Sequence, residues 1–226
     1  IDRGCGLMCM HYAVEVPAGR SGKALQHWIG GYYETGWSIN PHWVAASKLN
    51  RNHPVTRGVE DFKVKDEWYF NMRFREGKKG VTSILDAVPD DVARSGRSSW
   101  PRGPKKHIVE ASGRAETLCW SVQREDGGRG VGFTGAHFHA NFGDDGFRKL
   151  VLNAVAWTAG INIPEKGLVT HRPDEAELDA NQDFKKPGSQ KKKVATKPKS
   201  SKAKAKFTSK TISKSTPGHA VNVDVD

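Results

Sequence analysis

The chain has 226 residues, with 36 Lys and Arg against 25 Asp and Glu and a formal net charge of +11, a length that suits one domain core with extensions. Residues 185–226 hold 12 Lys and 2 Asp, so +10 of that excess lies there, and residues 1–184 are nearly neutral; composition therefore excludes a basic nucleic-acid-binding face on the folded part. No apolar run approaches the ~18 residues of a membrane span, and three cysteines, Cys5, Cys9 and Cys119, with no Cys-x-x-Cys pair, exclude a disulfide framework and read as free, mostly buried thiols.

The chain opens on Ile1 and runs almost at once into a core segment, so its natural start is expected upstream. Gly4 to Met10, with Leu7, Met8, Cys9 and Met10 in a row, reads as a strand covered on both faces, the pattern of a parallel sheet. Ala24, Leu25, Trp28 and Ile29 recur at helical spacing between Lys23 and Tyr33, and Gly30-Gly31 ends the pattern. His42 to Lys48 reads as a strand, and Asn52-His53-Pro54 as a turn, because the residue before proline avoids the helical basin. Phe62 to Phe70 alternates loosely, and Val81 to Val88, Lys106 to Glu110, Thr117 to Gln123 and Val131 to Thr134 are further strand candidates. Asp126-Gly127-Gly128-Arg129-Gly130 predicts a hairpin joining the last two. A closing helix follows: Phe147, Leu150, Val151, Ala154, Val155 and Thr158 fall three and four apart, with Asp144 as N-cap and Gly160 as C-terminal stop.

Residues 166–184 read as an extended segment. Residues 185–219 are Lys, Ser, Thr, Ala and Pro with Phe207 the single aromatic, too little apolar area to offset chain entropy, so they are expected to be a disordered linker or tail. Binding of such a tail to nucleic acid would be weak and salt-sensitive, and a solvated linker is preferred. Residues 220–226 alternate like a strand and would begin a further, truncated domain.

Gly135 to Asn141 follows a strand and precedes a helix, which places His137, His139 and Asn141 where open α/β sheets hold their ligands. Two imidazoles two residues apart share one face of an extended chain. They can be structural, can serve as acid/base or substrate contacts, or can bind a divalent metal such as zinc, for which His11, Glu15 and Glu67 are the nearest further donors. His11 ends the first strand and precedes Tyr12 and Glu15, an imidazole and a carboxylate suited to proton transfer or to plain backbone hydrogen bonding. Asp66-Glu67-Trp68-Tyr69 sets two carboxylates beside aromatics that can desolvate acids or stack on sugars, unless it is only an exposed strand end. His53 shapes its turn and has a lesser claim on a ligand. Trp120 and Arg124 read as core packing and a surface ion pair, with substrate contact as the second reading.

Gly4-x-Gly6-Leu7-x-x-Met10-His11-Tyr12-Ala13, Asn52-His53-Pro54-Val55-Thr56-x-Gly58, Asp66-Glu67-x-Tyr69, the stretch from Gly128 to His137 and Ala156-Trp157-Thr158-Ala159-Gly160 together resemble the trehalose-utilisation (ThuA-like) family over residues 4 to about 165. That resemblance implies a domain at residues 1–165 with an α/β fold, a flavodoxin-like parallel sheet flanked by helices as in class I glutamine amidotransferases, here with an added β-hairpin region. It also implies N-terminal incompleteness, because ThuA-like proteins begin with further strands, and hence an open sheet edge. His137-Phe138-His139-Ala140-Asn141 is similar to the amidotransferase segment that supplies two triad members. His11 stands at the elbow where those enzymes carry their cysteine, which disfavours glutamine amidotransferase chemistry. The implied function is bacterial carbohydrate catabolism on trehalose or 3-keto glycosides, beside a sugar dehydrogenase. His11 and His137 would flank the substrate, His139 or Glu67 would move protons, and Asn141 would orient an imidazole, with Tyr12, Glu15, Asp66, Tyr69, Trp120 and Arg124 as binding residues. The alternative is a sugar-binding accessory domain without turnover.

Overall fold

In a computed structural model of the chain, described at residue 1 and residues 3–180, the apolar run near the N-terminus becomes β1 (Leu7–Met10). The helical pattern becomes α1 (Arg20–Trp28), after which Gly30 takes φ 93°. Short strands β2 (Gly31–Tyr32), β3 (His42–Ala46), β4 (Lys48–Leu49), β5 (Lys63–Glu67) and β6 (Arg73–Phe74) precede the long β7 (Val81–Ala87). Two single-turn helices, α2 (Asp91–Arg94) and α3 (Lys106–Val109), lead to β8 (Glu116–Gln123), β9 (Arg129–Phe133), α4 (Asp145–Thr158) and α5 (Glu175–Asp179). The linker and the terminal strand expected over 185–226 lie outside the described residues.

The central sheet has the order β1-β9-β8-β7-β4. Among its described strands β1 and β9 alone pair in parallel, and the other three pairings are antiparallel. The parallel arrangement expected from the resemblance is thus confined to one edge. β8 and β9 meet through the Asp126–Gly130 turn, whose Gly127 has φ 81°, and a turn that short can join only antiparallel neighbours. β3 and β5 form a separate antiparallel pair. The Lys106 segment, expected as a strand, is helical. Its Ile108 is buried, its carbonyl accepts from the buried Arg94, and Lys106 pairs with Glu110 one turn on, so tertiary contacts outweigh the weak strand preference of four residues.

Alternation along the strands builds two cores. Val131 and Phe133 face α4, meeting Phe147, Leu150 and Ala154 together with Trp43, Ala45 and Trp68. Cys9 and Trp120 face the other side, with Leu25, Ile29 and Tyr69. Each large apolar side chain so enclosed contributes about 1.5–3 kcal/mol. Gly132 lies opposite Trp120 in the β8–β9 ladder, and a Cβ there would fall 2.1 Å from the indole. α4 starts as expected: the Asp144 side chain accepts from the Phe147 amide at 2.9 Å, which satisfies one of the free N–H groups of the first turn.

Candidate functional site

β1 and β9 are parallel and in register from Leu7 opposite Gly130 to Met10 opposite Phe133, so the residues that follow them, His11 and Thr134, leave the sheet at one edge. There the backbone is strained. His11 has φ 51° and Ala136 has φ 80°, values that cost a non-glycine residue about 1–3 kcal/mol and persist only where the surroundings impose them. Both twists act on histidines: one sets His11 on an elbow between strand and 3-10 turn, and the other turns the chain just before His137.

The third wall is the end of β5. Successive strand side chains point to opposite faces, which separates two adjacent carboxylates. Asp66 is fully buried and accepts from the backbone amides of Ala136 (2.8 Å), His137 (3.0 Å) and Phe138 (3.3 Å) and from Asn141 Nδ2 (2.9 Å). Its work is to hold the turn that carries His137. Glu67 points into the cavity. Its Oε2 lies 2.9 Å from His137 Nδ1 and 3.2 Å from His11 Nε2, and those two nitrogens are 3.1 Å apart. Glu67 Oε1 accepts from Asn40 Nδ2 at 3.0 Å, and the Tyr69 hydroxyl stands 3.2 Å from His11 Nε2. The Thr134 carbonyl lies 3.1 Å from His11 Nδ1. A carbonyl can only accept, so Nδ1 carries a hydrogen and Nε2 faces the cavity.

These groups line one side of a cavity of about 590 Å³ whose wall also includes Tyr12, Glu15, Thr35, Trp100 and Pro101. Tyr12 and Trp100 are 72% and 79% exposed. Glu15 accepts from the Thr35 hydroxyl at 3.2 Å, and the Trp100 amide donates to Asn40 Oδ1 at 3.0 Å. Burial opposes the charged imidazolium of His11, but its hydrogen bonds to Glu67 and the Thr134 carbonyl, with the charges of Glu67 and Asp66, outweigh this and raise its pKa above the ordinary value. Burial first, and Glu67 second, push the Tyr69 hydroxyl up, so it stays a proton donor. Burial also pushes the Cys9 thiol up, away from the reactive thiolate.

Of the residues singled out from the sequence, His11, Tyr12, Glu15, Glu67, Tyr69 and His137 meet at this cavity. Five do not. Asp66 is turned inward as described. Asn141 donates to Asp66 and to the Lys65 carbonyl, so it braces a carboxylate rather than an imidazole. His139 is exposed at the start of a 3-10 turn with its ring 5.9 Å from Phe142; the two-residue spacing from His137 would align them only on a continuing strand, and β9 stops at Phe133. Among the described residues the group able to hold a metal is His11, Glu67 and His137, without His139. Trp120 is a core residue donating Nε1–H to the Ile29 carbonyl at 2.6 Å. Arg124 follows β8 at the opposite sheet edge, where it bonds the Cys5 and Trp28 carbonyls and Asp126. His53 also lies elsewhere, its Nδ1 accepting from the Val55 amide and its Nε2 3.1 Å from the Ser121 hydroxyl.

Thr35, Asn40, Trp100 and Pro101 were not anticipated. A tryptophan inside the polar, glycine- and arginine-rich stretch between Arg94 and Lys106 is a signal that could have been used, because such a loop has no core in which to bury it.

A family model described as ThuA, trehalose utilisation, matches residues 1–158. No curated protein sequence matches the chain. Among solved structures, a ThuA-like protein from Bacteroides uniformis is 16% identical with a TM-score of 0.50, over 71% of this chain and 62% of that one. A ThuA-like protein from Parabacteroides merdae is 18% identical with a TM-score of 0.49, over 72% and 63%. The chain therefore spans about three fifths of the length of each, and the first likeness supports a mixed α/β fold with a central sheet and helices. Because the family model covers about seven tenths of the sequence, the chain belongs to the ThuA, or trehalose utilisation, family.

Proposed function

We propose that this chain acts on an oxidised glycoside, a sugar carrying a ring ketone as in 3-keto glycosides, by acid/base chemistry in the His11–Glu67–His137 cavity. The observation that carries this reading is the convergence of two imidazole nitrogens and a carboxylate oxygen within 3.2 Å of one another in a cavity whose wall includes two exposed aromatic residues, Tyr12 and Trp100, polar chemistry and stacking surface in one place. A proton on the carbon beside a ketone is acidic because its departure leaves the electron pair on the ketone oxygen. In the proposed step that proton passes to one of the two cavity carboxylates, Glu15 or Glu67, while the charge arising on the oxygen meets the cluster and the Tyr69 hydroxyl. The substrate would come from a dehydrogenase that oxidises the sugar first.

Glu67→Gln keeps the shape of the side chain and removes both its charge and its proton affinity. Turnover of a 3-keto disaccharide, followed by product chromatography, is expected to fall at least ~100-fold, with sugar binding measured by calorimetry changed much less. The exposure of Tyr12 and Trp100 equally suits a sugar-binding module without chemistry. If wild-type protein binds the keto sugar and leaves it unchanged, that second reading replaces the first.

A further inference from the structure

We infer that His11 Nε2, Glu67 Oε2 and His137 Nδ1 form a binding site for one first-row divalent transition-metal ion, open on the cavity side to the oxygens of the sugar. The inference deepens the proposed function and rests on it only for the choice of ligand on the open side.

With Nδ1–H of His11 committed to the Thr134 carbonyl, Nε2 faces Glu67 Oε2 at 3.2 Å and His137 Nδ1 at 3.1 Å, with a lone pair in the neutral ring and a hydrogen in the imidazolium. Lone pairs at that separation repel unless a positive charge lies between them. A proton on one edge of the triangle serves two of its corners, and a cation at the centre serves all three.

Spacing agrees. Three donors on one face of an octahedral ion with bonds near 2.1 Å are about 3.0 Å apart, and those of a tetrahedral ion about 3.4 Å apart. The observed edges are 2.9, 3.1 and 3.2 Å, closer to the octahedral face, which leaves further positions for water or substrate. Two nitrogens and one carboxylate oxygen favour zinc, iron or manganese over calcium or magnesium.

The outer partners fit as well. A ligating histidine commonly donates its second ring nitrogen to a carbonyl, and a ligating carboxylate is itself hydrogen-bonded. His11 has Thr134 in that role, and Glu67 has Asn40, held in turn by the Trp100 amide. His137 is 41% exposed at its side chain, so the open side of the triangle faces the cavity. An ion there would draw negative charge onto a bound ketone oxygen. Glu67 is then a ligand, which leaves Glu15 as the proton acceptor of the two carboxylates.

The test uses the full chain, stripped with a chelator, and titration calorimetry with Zn2+ and separately with Mn2+, without sugar. The expected result is one ion per chain, with at least ~100-fold weaker binding in His137→Asn, a change at a partly exposed position that should leave the melting temperature unaltered. Asn40→Ala should weaken binding ~10–100-fold by freeing Glu67, and His139→Gln should bind as wild type. No ion binding in the tens-of-micromolar range, or binding unaffected by His137→Asn and Glu67→Gln, overturns the site and leaves a purely protonic network. Ion binding lost in those variants supports it whether or not any glycoside is turned over. Full turnover of a keto sugar by chelated protein overturns the part given to the ion at the ketone oxygen and leaves the functional reading standing.

Discussion

Replacing Asp66 by asparagine keeps the shape of the side chain and removes a charge that four backbone amides and one side-chain amide satisfy. The single oxygen of asparagine can keep the position of Oδ1, which accepts from the amides of Glu67, His137 and Phe138. Its NH2 group must then face the Ala136 amide and Asn141 Nδ2, both donors. A stranded buried donor costs about 1–3 kcal/mol, and each bond that loses charge assistance gives up about 1 kcal/mol more. With the Ala136 amide stranded, Asn141 keeping the Lys65 carbonyl and three bonds losing charge, the sum is about 4–6 kcal/mol, a large share of the 5–15 kcal/mol that typically separates folded from unfolded chains. Urea unfolding followed by tryptophan fluorescence should show that loss in midpoint at unchanged slope. Amide exchange at residues 136–138 should speed up with it, because these are the groups released. A loss under about 1 kcal/mol with protection at 136–138 intact would refute the assignment of Asp66 as the anchor of the turn and return it to the list of substrate-binding groups.

Two further outcomes follow from named contacts. Burial, with the Arg129 charge behind it, lowers the His53 pKa from 6.5 to about 4. The unfolded chain therefore takes up a proton near pH 6.5 that the folded chain refuses, so this contribution to stability is complete above pH 6.5 and is lost as pH falls toward about 4. The gap is worth at most about 3 kcal/mol, cut to about 2 by partial solvent access. Chemical denaturation at pH 7 and pH 4.5 should show a steeper fall for wild type than for His53→Gln, and equal slopes would exclude His53 as the cause. Asp144→Ala removes the acceptor of the Phe147 amide at the start of α4 and should cost about 1 kcal/mol by the same measurement, whereas no loss would mean that packing alone sets where that helix begins.

How much of the fold could be read from the sequence depends on how local each cause is. α4 was legible because the spacing of its apolar residues, its Asp144 cap and its Gly160 stop all lie within one segment. The β8–β9 hairpin was legible because the five residues between its strands dictate it. α3 was not, since a four-residue turn has no period to show, and what makes it helical is Arg94 reaching its carbonyl from another turn. Strand direction was the larger miss. β7 and β8 pair antiparallel across α2 and α3, and that choice is made by distant packing, with no trace in either strand's own composition.

The site divides along the same line. Residue types capable of chemistry announce themselves, and the three that meet here come from three segments whose ends the turn and strand patterns had located. Which neighbour of each pair enters the cavity is another matter. Asp66 and Glu67 are chemically near-equivalent on paper, and strand alternation requires that one of them face away without saying which. Pairing decides it: β5 runs against β3 with Trp43 opposite Asp66 and His42 opposite Glu67, so the aspartate falls on the core side and the glutamate at the cavity. His137 and His139 are parted because β9 has ended at Phe133 and a 3-10 turn begins at His139, while the Ala136 and His137 amides just before it are held by Asp66. The residue that aims His137 at the cavity is thus 71 positions away in the chain. A reading limited to spacing can name the imidazole but not its aim, and the turn between Gly135 and Asn141 is built by a carboxylate that does no chemistry of its own.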